Sequence, residues 1–593
     1  MRTLRIPSAR LVRSAMTVAV LGALAACGGG GSTGTPEPVN AISTANCTQA
    51  SLQAAVASLP GDLKTSITSV ALSPAGATVN GAAVSSTNPA LPEHCVVTGT
   101  IDEHTGEPGN TVYGNKIRLR MPTAWNGRFY FMGGGGNNGS VADAVGTFRN
   151  MPGHSALARG YAVVAQDSGH NGSSPSFALD QKAYVNFAHQ SVHDAKSVSS
   201  TLLEKYFGRG PQRSYFVGCS NGGREAMVTA QRYDDFDGVV AGAPALNMFD
   251  QWTADVWSLR AVAELAGTAP GVAATSTSQA FSDAQLSFIA KHFTDKCDAL
   301  DGVADGLVQR FSQCKATTAD YQQLQCSTQG GSSSNASCLS PAQTSALAKI
   351  YGGPVNSAGV SLATGSNPGG IEVNWRGGLL GSGVGGLGSW YQSVIPNLPY
   401  MGYGFLGYPG AAANPRAVSS YPTGPVYAAG FNFDRDPALL EPGRLMFHGD
   451  NLDTNRAGPN FERFVRRGAK MIIYSGTADA SVKAPSVAEF ADKLQTAYGQ
   501  ERAESFARTF FVPGMGHCSG GPATDVFDVL TPLVDWVEKG EAPQRIVAQA
   551  TAGNNLDPNR TGVSRPLCVY PRYARYNGSG DVASAASYSC VAD

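Results

Sequence analysis

The run Ser214-Tyr215-Phe216-Val217-Gly218-Cys219-Ser220-Asn221-Gly222 reads as a β-strand that breaks at once into a turn. Its first half holds the aromatic and β-branched residues that strands favour. Its second half fits G-x-S-x-G, and the stretch Gly223–Arg232 beyond it reads as a helix. Between a strand and a helix this pattern is a nucleophile elbow. The small residues permit a tight, strained turn that lifts the Ser220 hydroxyl clear of the sheet. The N–H of Asn221 is then aimed where an oxyanion would form. A glycine-rich turn without chemistry is the alternative, and the strand–helix context argues against it.

Working outward, Ile117–Met121 alternates apolar and polar residues, and Arg128–Met132 leads into four glycines, Gly133–Gly136. Tyr161–Ala165 is continuously apolar, as a strand buried on both faces should be. Ser191–Phe207 carries Val192, Ala195, Val198, Leu202, Leu203 and Tyr206 at helical spacing. Gly238–Gly242 is a further strand. Strands separated by helices imply a parallel α/β sheet. From about 246 to 458 this rhythm is lost. The segment holds four cysteines within 42 residues, a polar run at Gly330–Ser337 and Gly/Trp/Tyr-rich loops over Gly377–Gly410. The rhythm returns at Ala469–Tyr474 and Arg508–Val512. We therefore expect one α/β domain over 42–245 and 459–593, interrupted by an insertion over 246–458.

A serine hydroxyl is weakly nucleophilic and needs a base that is itself oriented by an acid. On an α/β-hydrolase sheet the chain order is Ser, then Asp or Glu, then His. Downstream of Ser220 the histidines are His292, His448 and His517. The first two fall in the insertion, whereas His517 follows the strand Arg508–Val512. Asp479 lies just after the strand Ala469–Tyr474. Asp525 and Asp528 follow the histidine and are in the wrong order. The expected triad is Ser220, Asp479 and His517. Cys219 precedes the serine and Cys518 follows the histidine. If the two catalytic residues meet, these cysteines come within a few ångströms, and a bridge would pin the base to the elbow. The second oxyanion donor is expected from the glycine run, at Gly135 or Gly136.

Cys297-Asp298-Ala299-Leu300-Asp301-Gly302-Val303-Ala304-Asp305-Gly306-Leu307 crowds three aspartates between glycines. Close carboxylates repel unless a cation joins them, and Ca²⁺ takes six to eight oxygens. Carbonyls of Val303 and Leu307 would complete such a shell. The spacing departs from an EF-hand, so an acidic turn stands beside structural calcium as the reading.

The chain has 593 residues, 42% hydrophobic and 15% charged, against about 25% charged in average proteins. Its 43 basic and 44 acidic residues leave a net charge of −1. That balance lacks the basic face a nucleic-acid partner requires, and the apolar content argues against disorder. Arg2, Arg5, Arg10 and Arg13 precede a short apolar run, Ala15–Ala23, too short to span a bilayer as a helix. It ends in Leu24-Ala25-Ala26-Cys27, the pattern of a bacterial lipoprotein signal. We expect a signal over 1–26, acylation of Cys27 and a flexible tether over 27–41. Membrane contact would then run through that anchor alone, with the enzyme on the outer membrane. An ordinary cleaved signal, giving a periplasmic or secreted protein, is the alternative. Of the eleven cysteines, ten remain for disulfides in an oxidising compartment.

The Cys-Ser and His-Cys pairs, the intervening aspartate and the aspartate loop resemble those of the tannase/feruloyl esterase family of α/β-hydrolases. So do Leu91–Cys95, Arg118–Pro122, Trp125–Phe129, Val512–Met515 and Asp528–Val534. The resemblance implies an α/β-hydrolase fold whose insertion is a lid. It implies Ser220–Asp479–His517 as triad and the N–H groups of Gly136 and Asn221 as oxyanion hole. It implies calcium at Asp298, Asp301, Val303, Asp305 and Leu307, and the pairings Cys47–Cys95, Cys219–Cys518, Cys297–Cys314, Cys326–Cys338 and Cys568–Cys590. The activity it implies is hydrolysis of an aromatic acid ester of terephthalate-monoester, ferulate or gallate type. Some members hold a free substrate carboxylate with a lid arginine and cover the ring with a lid phenylalanine. Arg416 is the candidate here for the first, and Phe405 or Tyr408 for the second. Val482 and Asn221 stand where phenylalanine and glutamate occur in the terephthalate-monoester type. A peptidase using the same triad, or a non-catalytic surface binding protein on the same fold, are the rival readings.

Overall fold

The strand that opens the elbow, with its neighbours, forms the centre of one sheet in a computed structural model. The structure describes residues 44–79, 90–107, 109–147, 150–151, 155–265, 277–327, 337–381, 395, 397–406, 424–452, 459–550 and 562–592. Among these, the main sheet has nine strands: β1 (Thr65–Ser73), β2 (His94–Thr105), β3 (Val112–Pro122), β4 (Arg128–Met132), β5 (Ala162–Gln166), β6 (Arg213–Cys219), β7 (Gly238–Gly242), β8 (Lys470–Gly476) and β9 (Ala507–Val512). Their order is β1-β2-β3-β5-β4-β6-β7-β8-β9. From β5 to β9 every pairing is parallel, while β1, β2 and β3 form an antiparallel edge. This is the mostly parallel α/β sheet expected of an α/β-hydrolase. β1 was not foreseen: its Ser/Thr-rich, mostly exposed residues carry little hydrophobic signal at a sheet edge.

The period of two sets the two cores. Phe129, Phe131 and Phe216 face one side of the sheet, and Tyr130, Tyr215 and Val217 face the other. The rings of Phe131 and Phe216 stack at 5.3 Å across neighbouring strands. Helix α1 (Ser191–Phe207) packs on the first side through Val198 and Leu202, and α2 (Asn221–Arg232) through Met227. Fully burying one such apolar side chain stabilises by about 1.5–3 kcal/mol.

β7 and β8 are adjacent and parallel although residues 243–469 lie between them. The inserted segment opens with α3 (Met248–Leu265) and, among its described residues, contains helices and isolated bridges but no strand. Its aromatic side chains, including Phe249, Trp375, Phe431 and Phe447, form a second core together with Phe177, Tyr184 and Phe187 from outside the segment. Helix α4 (Ala484–Tyr498) then returns to the first side of the sheet, and α5 (Leu530–Lys539) covers the second through Leu533 and Trp536.

Among the described residues there are five disulfides. Cys47–Cys95 ties the segment just before the helix Gln49–Val56 to β2, and Cys297–Cys314 and Cys326–Cys338 close loops inside the inserted segment. Cys568–Cys590 joins two C-terminal antiparallel ribbons, Arg545–Gln549 with Ser564–Cys568 and Tyr573–Tyr576 with Tyr588–Val591, and Cys219–Cys518 lies at the site described below. No helix among the described residues is long and apolar enough to cross a membrane. Cys27, the segment 1–26 and the tether 27–41 lie outside the described residues.

Candidate active site

Ser220 sits between β6 and α2 with φ 64° and ψ −122°. A non-glycine residue held there stores on the order of 1–3 kcal/mol of strain. The elbow tolerates no bulk around it. A Cβ at Gly218 would lie 2.5 Å from the Gly222 carbonyl oxygen, and one at Gly222 would lie 2.6 Å from that of Gly134. The turn is locked by the Ser220 N–H, which donates to the Gly242 carbonyl at 2.9 Å.

The Ser220 hydroxyl lies 2.8 Å from Nε2 of His517, and Nδ1 of His517 lies 2.8 Å from Oδ2 of Asp479. Asp479 is fully buried. Its second oxygen accepts the N–H groups of Ser481 at 2.7 Å and Val482 at 2.9 Å. With Nδ1–H donating to a carboxylate oxygen, Nε2 is left to accept from the serine hydroxyl. The inserted segment steadies the acid loop: Asn374 donates to the Ala478 carbonyl at 2.7 Å, and Asn367 to that of Thr477 at 3.0 Å. Cys219 and Cys518 are bridged with their Cα atoms 6.2 Å apart and 299 residues apart in sequence. Cys518 itself has φ 66°, so the bridge holds a strained turn directly after the histidine.

The glycine run after β4 crosses beside the elbow. The N–H of Gly133 donates to Val217 and that of Gly134 to the Glu225 carboxylate. Gly136 has φ 57°. The N–H groups of Gly135, Gly136 and Asn221 take no protein acceptor among the described residues. The side chain of Asn221 is buried and points into a polar cluster with Asn138, Arg224 and Glu225.

The aspartate loop calls for a correction. Among the described residues no group of three His, Cys, Asp or Glu side chains is arranged to hold a metal ion, so the expected calcium at Asp298, Asp301, Val303, Asp305 and Leu307 is not supported. The loop relieves its charge by other means. Asp305 pairs with the buried guanidinium of Arg565 and accepts the Tyr588 hydroxyl at 2.8 Å. Its other oxygen accepts the Leu307 N–H, while Asp301 and Asp298 accept those of Val303 and Gly306. One oxygen each of Asp298 and Asp301 is buried without a partner. Burial, with the Asp305 and Asp298 carboxylates adding to it, pushes the Asp301 carboxyl up to about 7.

Val482 is buried in the main core, and its N–H serves the acid. Arg416 and Tyr408 lie outside the described residues, as does the side chain of Phe405. Sequence reading overlooked Glu225, Asn138, Asn367 and Asn374. For Glu225 a signal was present, since a carboxylate four residues after Asn221 falls on the same helix face.

The sheet order, the elbow at the C-terminal end of β6 and the loops after β8 and β9 define an α/β-hydrolase. The chain belongs to the tannase and feruloyl esterase family of carboxylic ester hydrolases, whose model matches residues 95–395 and 442–591. It is 36% identical over 536 residues to the mono(2-hydroxyethyl) terephthalate hydrolase of Piscinibacter sakaiensis, covering 85% of each chain. It is 31% identical over 496 residues to a probable feruloyl esterase of Arthroderma benhamiae, covering 80% of this chain and 82% of that one. The crystal structure of feruloyl esterase B from Aspergillus oryzae superposes with a TM-score of 0.69 at 23% identity, covering 91% of this chain and all of that one, which speaks for the fold.

Proposed function

We propose that this esterase cleaves esters of aromatic carboxylic acids with Ser220 as nucleophile, His517 as base and Asp479 as the acid that orients it. The carrying observation is the unbroken hydrogen-bond line from Ser220 Oγ through His517 to Asp479, 2.8 Å at each step. His517 takes the hydroxyl proton as Oγ bonds to the ester carbonyl carbon, and the carbonyl oxygen becomes the oxyanion. The N–H groups of Gly136 and Asn221 receive that charge. Asp479 stays ionised and stabilises the imidazolium. As the intermediate collapses, His517 hands the proton to the departing alkoxide and an acyl-serine remains. Water, deprotonated by the same imidazole, then releases the aromatic acid and restores Ser220. Residues 246–458 act as the lid over the acyl group.

Relatives named for terephthalate-monoester and feruloyl ester hydrolysis support the substrate class. The five disulfides suit an exported enzyme, and Cys27 is the proposed acyl anchor. Assaying mono(2-hydroxyethyl) terephthalate, methyl ferulate and methyl gallate side by side, with Ser220→Ala as control, tests the proposal. We expect turnover of at least one ester and its loss by a factor of about 10³ or more in the variant. Equal activity in Ser220→Ala rejects the mechanism. Inactivity toward all three rejects the substrate class.

A further inference from the structure

We propose that Glu225 is the positioning residue of the oxyanion hole, with its single carboxylate holding both halves of that hole in register. The inference rests on the reading that the Gly136 and Asn221 N–H groups bind the oxyanion.

Glu225 lies one turn into α2 and is 4% exposed. One oxygen accepts the Gly134 N–H at 2.9 Å, and the other accepts the Asn138 side-chain amide at 2.7 Å. Gly134 and Asn138 bracket the Gly135–Gly136 pair, so the carboxylate clamps the glycine run on both sides of its free N–H groups. The same second oxygen accepts the Asn221 side-chain amide at 3.2 Å. Asn221 supplies the other oxyanion donor from its backbone. Asn138 and Asn221 are also joined directly at 3.2 Å, and Arg224 Nε donates to the Asn221 side-chain Oδ1 at 2.7 Å. The Ser168 hydroxyl at 3.3 Å and the Gln166 side-chain amide at 3.5 Å also donate to Glu225.

A neutral side chain would not serve here. Every near group on the carboxylate is an N–H or O–H donor, so an acceptor-only anion satisfies all of them at once. Burial raises the Glu225 carboxyl above its ordinary value, against the downward pull of Arg224 and of the Gly134, Asn138 and Ser168 donors. Arg224 is itself fully buried and donates to the carbonyls of Phe187 and Ala188 at 2.7 and 2.6 Å. Its donors are therefore engaged by Phe187, Ala188 and Asn221, and the carboxylate remains available to the glycine run. The fit is close: a Cβ at Gly134 would lie 2.1 Å from the Asn138 side-chain amide. An oxyanion hole works by being set before charge develops, so loosening the Glu225 contacts should cost transition-state binding and leave ground-state binding nearly intact.

Glu225→Gln exchanges one acceptor oxygen for a donor facing Gly134 or Asn138. We expect kcat to fall by about tenfold to a hundredfold, below the ~10²–10³ of deleting an oxyanion donor outright. KM and the inhibition constant of the product acid should stay within about twofold, whereas affinity for an arylboronic acid should weaken in step with kcat/KM. Glu225→Asp, which keeps the charge, should recover part of the loss. Asn138→Gly, which tolerates the φ of 49° at that position and removes one clamp, keeps the test open should Glu225→Gln fail to fold. Wild-type kcat and boronate affinity in the folded variants overturn the assignment. So does an equal loss of boronate and product-acid affinity, which marks a merely structural role. Activity surviving in Ser220→Ala would instead overturn the underlying reading of the site.

Discussion

At Ser220 and Asp479 the chemistry depends on which atoms face the imidazole. Asp479→Asn keeps the shape of the acid but lets its amide donate toward Nδ1, which favours the wrong histidine tautomer. We expect kcat to fall by about 10³–10⁴ with KM and melting temperature little changed, as steady-state kinetics and calorimetry would show. His170 lies beside the glycine run, with Nε2 2.7 Å from the Asn137 carbonyl and its ring stacked on Phe177 at 3.8 Å. Burial holds its pKa down at about 4. A depressed imidazole leaves the unfolded chain binding the extra proton, so the stability tied to His170 is complete above pH 6.5. It is lost as the pH falls toward 4, by up to roughly 3 kcal/mol. Asp167, pushed up to about 7 by burial, works oppositely: ionising it costs stability as the pH rises. The signal is therefore the difference between proteins. Urea unfolding of His170→Asn between pH 4.5 and 7 should show a flatter acid limb than the wild type, and equal slopes would contradict the assignment.

Between elements, the elbow depends on close backbone approach and on one covalent tie. Gly222→Ala drives a methyl against the Gly134 carbonyl at 2.6 Å, and the glycine run must move away. Overpacking of this kind costs about 1–3 kcal/mol, and here we expect a larger loss in kcat than in stability, because the displaced run carries the proposed oxyanion donor. The Cys219–Cys518 bridge closes a 299-residue separation. Paired Cys219→Ala/Cys518→Ala substitution should lower stability by about 2–5 kcal/mol. It should also reduce kcat, since the turn after His517 loses its tether to the elbow. A variant that melts earlier but keeps full kcat below its transition would show that the tether is structural only.

For the molecule as a whole, the inserted segment is bound to the sheet through the acid loop. Lys483, four residues after Asp479, forms a 2.8 Å ion pair with Asp255 on α3, and both side chains are 1% exposed. Removing one partner strands a buried charge. Lys483→Met should therefore cost about 3–5 kcal/mol in chemical unfolding. Lys483→Met/Asp255→Leu should recover most of it, because an apolar pair of similar volume carries no desolvation penalty. No recovery in the double variant would show that the pair contributes more than mutual neutralisation.

What the sequence determined by itself is whatever is local and periodic. The strands around Phe131, Phe216 and Val239 and the helix Ser191–Phe207 were legible because burial imposes a period of two or 3.6 on side chains. Ser220, Asp479 and His517 could be singled out because each follows a recognisable strand in a set chain order. Tertiary structure decided what depends on distance across the fold. The aspartates at 298, 301 and 305 read as a cation site in a linear chain, yet the distant Arg565 and Tyr588 take up Asp305 and Asp301 is driven toward neutrality by burial. The spacing from Asn221 puts Glu225 on the same helix face, but what it holds across the fold was not legible, for the same reason. Its partners Gly134 and Asn138 are 91 and 87 residues away, and no local pattern records a hydrogen bond that exists only once the sheet has formed.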